Sequence, residues 1–172
     1  METRTNLFGF VLVLLLIGAL LSGCGAASTT GSAIDACKLI TQADAEAVLG
    51  GPVKAPETPV SGEGIAAVTS CKYIVAAAPS VNNVTLIVRR LDSADAAKQD
   101  FEQLKKDMEP KLNVTPPDVT GVADAAFWSG GSVNQLAVLK GKVELLFYVY
   151  GASTPQDAAQ GLAQKTLGRL TQ

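Results

Sequence analysis

Gln135-Leu136-Ala137-Val138-Leu139-Lys140-Gly141-Lys142-Val143-Glu144-Leu145-Leu146-Phe147-Tyr148-Val149-Tyr150 is the stretch whose reading decides the fold. Two apolar runs flank Lys140-Gly141-Lys142, which predicts a hairpin with strands Gln135–Leu139 and Val143–Tyr150. Successive strand side chains alternate, so Val143, Leu145, Phe147 and Val149 share one face while Glu144, Leu146, Tyr148 and Tyr150 share the other. A shorter extended segment, Ala125–Trp128, precedes it across the turn Ser129-Gly130-Gly131-Ser132.

Upstream, Cys71–Ala77 and Val84–Leu91 read as two further strands joined by residues 78–83, with Val84, Leu86 and Val88 turned to a core. Helices separate these groups. Thr41 is a good N-cap for a helix through Leu49, with Asp44 three residues on and Gly50-Gly51-Pro52 to end it. Leu39, Ile40, Ala43, Ala47 and Val48 are its expected apolar side. A long helix is expected from Asp92 or Ser93 to about Glu109, where Pro110 stops it, and its stripe Ala94, Ala97, Phe101, Leu104 and Met108 has the spacing of one buried side. Thr154-Pro155-Gln156-Asp157 opens a C-terminal helix whose buried side is Ala159, Leu162, Thr166, Leu167 and Leu170. The pattern predicts an α+β domain over residues 35–172: an antiparallel sheet of five or six strands, helices mainly on one face, in the order α-β(2–3)-α-β(2–3)-α. Ala43-Asp44-Ala45 and Ala94-Asp95-Ala96 each stand before a strand group, as an internal duplication would place them.

The N-terminal residues 1–23 are of another kind. Leu7–Leu21 is an uncharged apolar run of roughly 15 residues, within the length of a signal-peptide core and short of the ~20 that a spanning helix needs. It ends in Leu21-Ser22-Gly23-Cys24, which resembles the lipobox of bacterial lipoproteins. The resemblance implies a diacylglycerol on the Cys24 thiol, cleavage just before it, and a protein anchored through lipid on the extracytoplasmic face of a bacterial membrane. Ordinary signal cleavage with Cys24 a bystander, and a retained helix, are the competing readings. Gly25–Ser32 has the composition of a flexible tether, so residues 24–34 are read as lipidated cysteine and linker.

Three cysteines then divide as one plus two. Cys37 and Cys71 are expected to form a structural disulfide in an oxidising compartment, since no Cys-x-x-Cys spacing or companion ligands favour a redox pair or a metal. The chain has no His, which removes the commonest general base and metal ligand, and neither a metal nor another cofactor is expected. Its net charge of −2 and the absence of a basic run argue against nucleic acid.

Candidate chemistry is thin. Asp118 and Asp124 flank the Gly121 turn and are the two carboxylates that hydrolysis would call on, but Asp is also a turn and capping residue. Ser129-Gly130-Gly131-Ser132 is neither a nucleophile elbow nor a phosphate loop. The aromatic group Phe127, Trp128, Phe147, Tyr148 and Tyr150 is the candidate binding face, if helices do not cover it. It serves either an envelope protein partner or a small hydrophobic or glycan ligand in a pocket between sheet and helices.

Cys37–Gly50 with Pro52-Val53, then Cys71-Lys72-Tyr73, then Val119-Thr120-Gly121-Val122-Ala123-Asp124-Ala125-Ala126-Phe127-Trp128, resemble small exported bacterial lipoproteins of unknown function, common in actinobacteria. The resemblance implies a disulfide between the two cysteines and a compact α+β domain. It brings no catalytic residues. The expected activity is therefore a non-enzymatic binding or interaction module.

Overall fold

The computed structural model describes residues 33–58, 67–77 and 81–170. The leader 1–23, Cys24 and most of the 24–34 tether lie outside the described residues, as do parts of the two loops preceding and following the first strand. The chain runs α1 (Ala36–Leu39), α2 (Gln42–Leu49), β1 (Ala67–Ile74), β2 (Asn83–Arg90), α3 (Ala94–Leu112), β3 (Ala125–Ser129), β4 (Gln135–Lys140), β5 (Val143–Tyr150) and α4 (Pro155–Leu170). This is an α+β fold with one five-stranded antiparallel sheet in the order β1-β2-β5-β4-β3.

The β4–β5 hairpin is tighter than its sequence suggests. Lys140 pairs with Val143, leaving a two-residue loop whose first residue, Gly141, has φ +57°. A left-handed first position matches the strand twist and is open to glycine at no steric cost. β5 is central. It pairs with β4 on one side and with β2 on the other, where Arg90 stands opposite Val143 and Phe147 opposite Leu86. Both outer edges are partly satisfied by loop backbone, which guards against edge pairing. Lys54 N donates to Ile74 O along β1, and Trp128 N donates to Pro117 O along β3.

Three helices lie on one face. Val84, Leu86, Val88, Leu136, Val138, Leu145, Phe147 and Val149 are buried there beneath α1, α2 and α4, with Ala159, Leu162 and Ala163 of α4 closing the layer. The other face is narrower, and α3 crosses it chiefly over β3–β5. There Ala97, Phe101 and Met108 pack on Phe127, Ala137, Leu139 and Leu146, and the Phe101 and Phe127 rings meet at 5.1 Å in a tilted arrangement.

Helix boundaries follow local chemistry with two corrections. Thr41 and Asp44 form a reciprocal capping box at the start of α2, and Gly50 ends it in the left-handed region. Its buried residues, however, are Asp44 and Ala45, while Ala43 and Ala47 face solvent. The register is set by Asp44, drawn inward to meet α4: it accepts from Arg169 (2.6 Å) and Lys165 (3.1 Å). Asp95, by contrast, is exposed and stands two residues after its cap Ser93, so the two Ala-Asp-Ala runs occupy different helical positions. In α3 the stop is three residues later than expected. Pro110 sits inside the last turns, where it removes one amide donor, and Asn113 supplies the left-handed cap.

Cys37 in α1 is bonded to Cys71 in β1, with Cα atoms 5.1 Å apart. The link closes a loop of 34 residues' separation; in the chain-entropy model that contributes about 3.5 kcal/mol. Cys37→Ala/Cys71→Ala is predicted to lower the unfolding free energy by roughly 2–4 kcal/mol in urea titration, and a loss below about 0.5 kcal/mol would contradict a structural role.

Candidate functional site

The alternation of β5 divides the five aromatic candidates. Phe147 is wholly buried on the α4 face, and Trp128 packs against the same core. Phe127 is wholly buried on the α3 face, where Tyr148 is half-buried. Tyr150 belongs to that second side by alternation, and its hydroxyl donates to Val133 O. With the two phenylalanines on opposite sides of the sheet, the five do not form one surface, and no single pocket is lined by Phe127 and Phe147 together. Helix α3 covers most of the strand face that sequence left open.

The α3 side instead holds a buried ionic group. Glu144 is fully buried; its Oε2 accepts from Arg89 Nη1 at 2.7 Å, and the same guanidinium nitrogen reaches Asp100 of α3. Burial pushes the Glu144 carboxyl up to about 7, the Arg89 charge opposes this, and Asp100 reinforces it. Two rungs along, Ser129 and Gln135 are paired neighbours and fully buried, and the Ser129 hydroxyl and both amide atoms of Gln135 have no hydrogen-bond partner among the described residues. By alternation with Phe127 and Ala137 both stand on the α3 side of the sheet, and the Glu144 Oε1 atom there is likewise buried without a hydrogen-bond partner among the described residues.

The two carboxylates considered for hydrolysis are engaged at the surface. Asp118 pairs with Lys105. Asp124 accepts from Lys140 Nζ and from Gly141 N, each at 2.8 Å, so it clamps the β4–β5 turn. Those two bonds hold its carboxyl below the usual range. Among the described residues no three His, Cys, Asp or Glu side chains are grouped to hold a metal ion.

At the Arg90 end of the sheet, four separate segments enclose an open cleft of about 570 Å³. Ile34, Asp35, Lys38 and Leu39 form one wall where the described chain enters α1. The β4–β5 turn contributes Lys140, Lys142 and Val143, β2 contributes Arg90, and the last turn of α4 contributes Arg169 and Leu170. Five cations thus face one carboxylate in a chain whose net charge is −2. Several are fixed by the fold: Lys142 Nζ donates to Asp92 O, Lys140 to Asp124, and Arg169 to Leu39 O and Asp44. Asp35 caps α1 by accepting from Cys37 N. Asp44 itself stays ionised. Burial alone would raise its carboxyl, but hydrogen bonds from Arg169, Thr41 and Lys165 together hold it well below the carboxylate range.

The sequence carries no basic run that would mark the cleft. The cations come from positions 38, 90, 140, 142 and 169, and only the Lys140-Gly141-Lys142 turn places two of them close together in the chain. Comparison with known protein families yields no matching family, and none of the curated proteins matches the chain.

Glu144 carries a pH signature of definite sign. From the ordinary carboxylate value of 4.5 up to about 7, the folded protein holds a proton that the unfolded chain has released, so stability falls as pH rises through that interval. Glu144→Gln removes the decline: its stability relative to the parent is predicted to rise by on the order of 1–3 kcal/mol between about pH 5 and about pH 8 in denaturant titrations. Parallel profiles for the two proteins would contradict the assignment.

Proposed function

We infer that the protein is a lipoprotein of the bacterial envelope, acylated at Cys24 and held on the extracytoplasmic face of its membrane, where the α+β domain acts as a non-enzymatic binding module. The observation that carries this reading is the cysteine pairing. With Cys37 bonded to Cys71, Cys24 is the one remaining thiol, and it stands directly after Leu21-Ser22-Gly23 at the end of the apolar run. A structural disulfide is also what an exported domain keeps and a cytosolic one rarely does.

Support for binding over catalysis comes from the engagement of the acidic groups. Asp124 secures a turn, Asp44 ties α2 to α4, and Glu144 pairs with Arg89 under α3. Among the described residues, the carboxylates with displaced proton affinity each hold at least one such structural contact. The cleft beside α1 offers cationic groups and apolar surface together, which suits recognition of an amphiphilic or anionic partner.

Two acyl chains on Cys24 would bind at ~0.8 kcal/mol per buried methylene, far beyond the marginal hold of a single myristoyl group. Mass spectrometry of protein purified from membranes should therefore find a mature chain beginning at Cys24 and carrying a diacylglycerol thioether. An N-terminus elsewhere, or a free thiol at Cys24, would overturn the reading.

A further inference from the structure

The cleft lies at the end of the domain where the chain arrives from the anchor. Ile34, on its wall, follows Cys24 by ten residues, and a chain of such Gly/Ser/Thr/Ala composition and length has a root-mean-square span of roughly 17 Å. Even fully extended it reaches only ~35 Å. Acylation of Cys24 would therefore keep this wall within about 35 Å of the headgroups, while the far end of the sheet, at Ile74 and Asn83, can stand farther away.

The chemistry of the wall matches that position. Lys38, Lys140, Lys142 and Asp35 are exposed, Arg90, Arg169, Ile34 and Leu170 are half-buried, and Leu39 and Val143 are buried. Such a lining offers donors to a phosphodiester, with Ile34 and Leu170 as the hydrocarbon beside it. Lysine and arginine stems are suited to this, since they cover apolar surface while their charged ends reach an interface. Asp35 on the wall and Asp124 and Asp44 beside it offset part of the charge, but Asp35 is engaged in capping α1, and the other two draw Lys140 and Arg169 into fixed positions. The β4–β5 turn is likewise held from both sides, by Asp124 on Gly141 N and by Leu91 N donating to Lys142 O.

Resting on the anchored reading above, we propose that this cleft docks the domain onto the anionic phospholipid headgroups of its own membrane, with Lys38, Lys140 and Lys142 meeting the phosphodiesters. Lipidation then supplies retention, and the cleft supplies orientation. The opposite end of the sheet is presented outward.

The lipidated full-length protein, reconstituted on vesicles of phosphatidylcholine alone or of phosphatidylcholine with phosphatidylglycerol, tests this by lysine acetylation read in mass spectrometry. Near an anionic surface each cation is favoured roughly fivefold, so Lys38, Lys140 and Lys142 should react about fivefold more slowly on the phosphatidylglycerol vesicles. Lys54, beside Ile74 at the far end of the sheet, should react equally on both. The protection should vanish at high salt, where the screening length falls to about 3 Å. It should also weaken at Lys140 in Lys38→Gln/Lys142→Gln, whose exposed positions leave the fold intact by circular dichroism. Equal rates on both vesicles, with the protein still floating on them, would overturn headgroup docking while leaving the anchor standing. Failure to float on either would remove the anchor and the docking with it. Protection on phosphatidylcholine produced by soluble glycerol 3-phosphate alone, equal to that from phosphatidylglycerol, would make the cleft a free-phosphate site and overturn membrane docking.

Discussion

Helix α1 is four residues long, far below the length at which a helix holds its own shape in water, yet it forms one wall of the cleft. What keeps it in place is the covalent bond from Cys37 to Cys71, which ties it to β1 at the edge of the sheet. Polar contacts complete the attachment. Arg169 and Thr166 of α4 both donate to Leu39 O, and Arg169 continues to Asp44 of α2. The disulfide, the Leu39 carbonyl and the Asp44 carboxylate therefore fix the N-terminal helices against two different elements. Ile34 and Lys38 are thereby held beside the β4–β5 turn.

The sheet order does the rest of the positioning. Because β5 lies between β2 and β4, the end of β2 and the turn of the hairpin emerge side by side, with Arg90 opposite Val143. A meander in sequence order would have put β3 next to β2 and separated these cations. The insertion of β5 at the centre also explains its composition, since Phe147 and Leu145 must fill one core and Leu146 the other. Glu144 is the exception on that strand, and its burial is tolerated through Arg89 and Asp100 at the cost of a displaced proton affinity.

Local periodicity made most of the elements legible. The Phe101 and Met108 stripe, the alternation from Val143 to Tyr150 and the Thr41–Asp44 cap are short-range signals that the structure keeps. The faces were less legible, because alternation says that two sides differ without saying which helix covers which. Phe127 and Tyr148 thus lie beneath α3 rather than in a shared surface with Phe147. The burial of Asp44 over Ala43 was hidden for a related reason: its partners Lys165 and Arg169 stand more than a hundred residues away. The cleft was the least legible feature, since its charges come from four segments and only tertiary folding gathers them.

The proposed orientation at the membrane links the proposed anchor to the disulfide and the cleft, and nitroxide probes read it directly. Ala94→Cys places a probe at the start of α3, close to Asp92 and the cleft turn; Val81→Cys places one before β2 at the opposite end of the sheet. On lipidated protein bound to phosphatidylglycerol-containing bilayers, depth-dependent relaxation should put the Ala94 probe near the phosphate plane and the Val81 probe roughly 20 Å farther out, the span of β2. Equal depths for the two probes, or the Val81 end lying nearer, would contradict it.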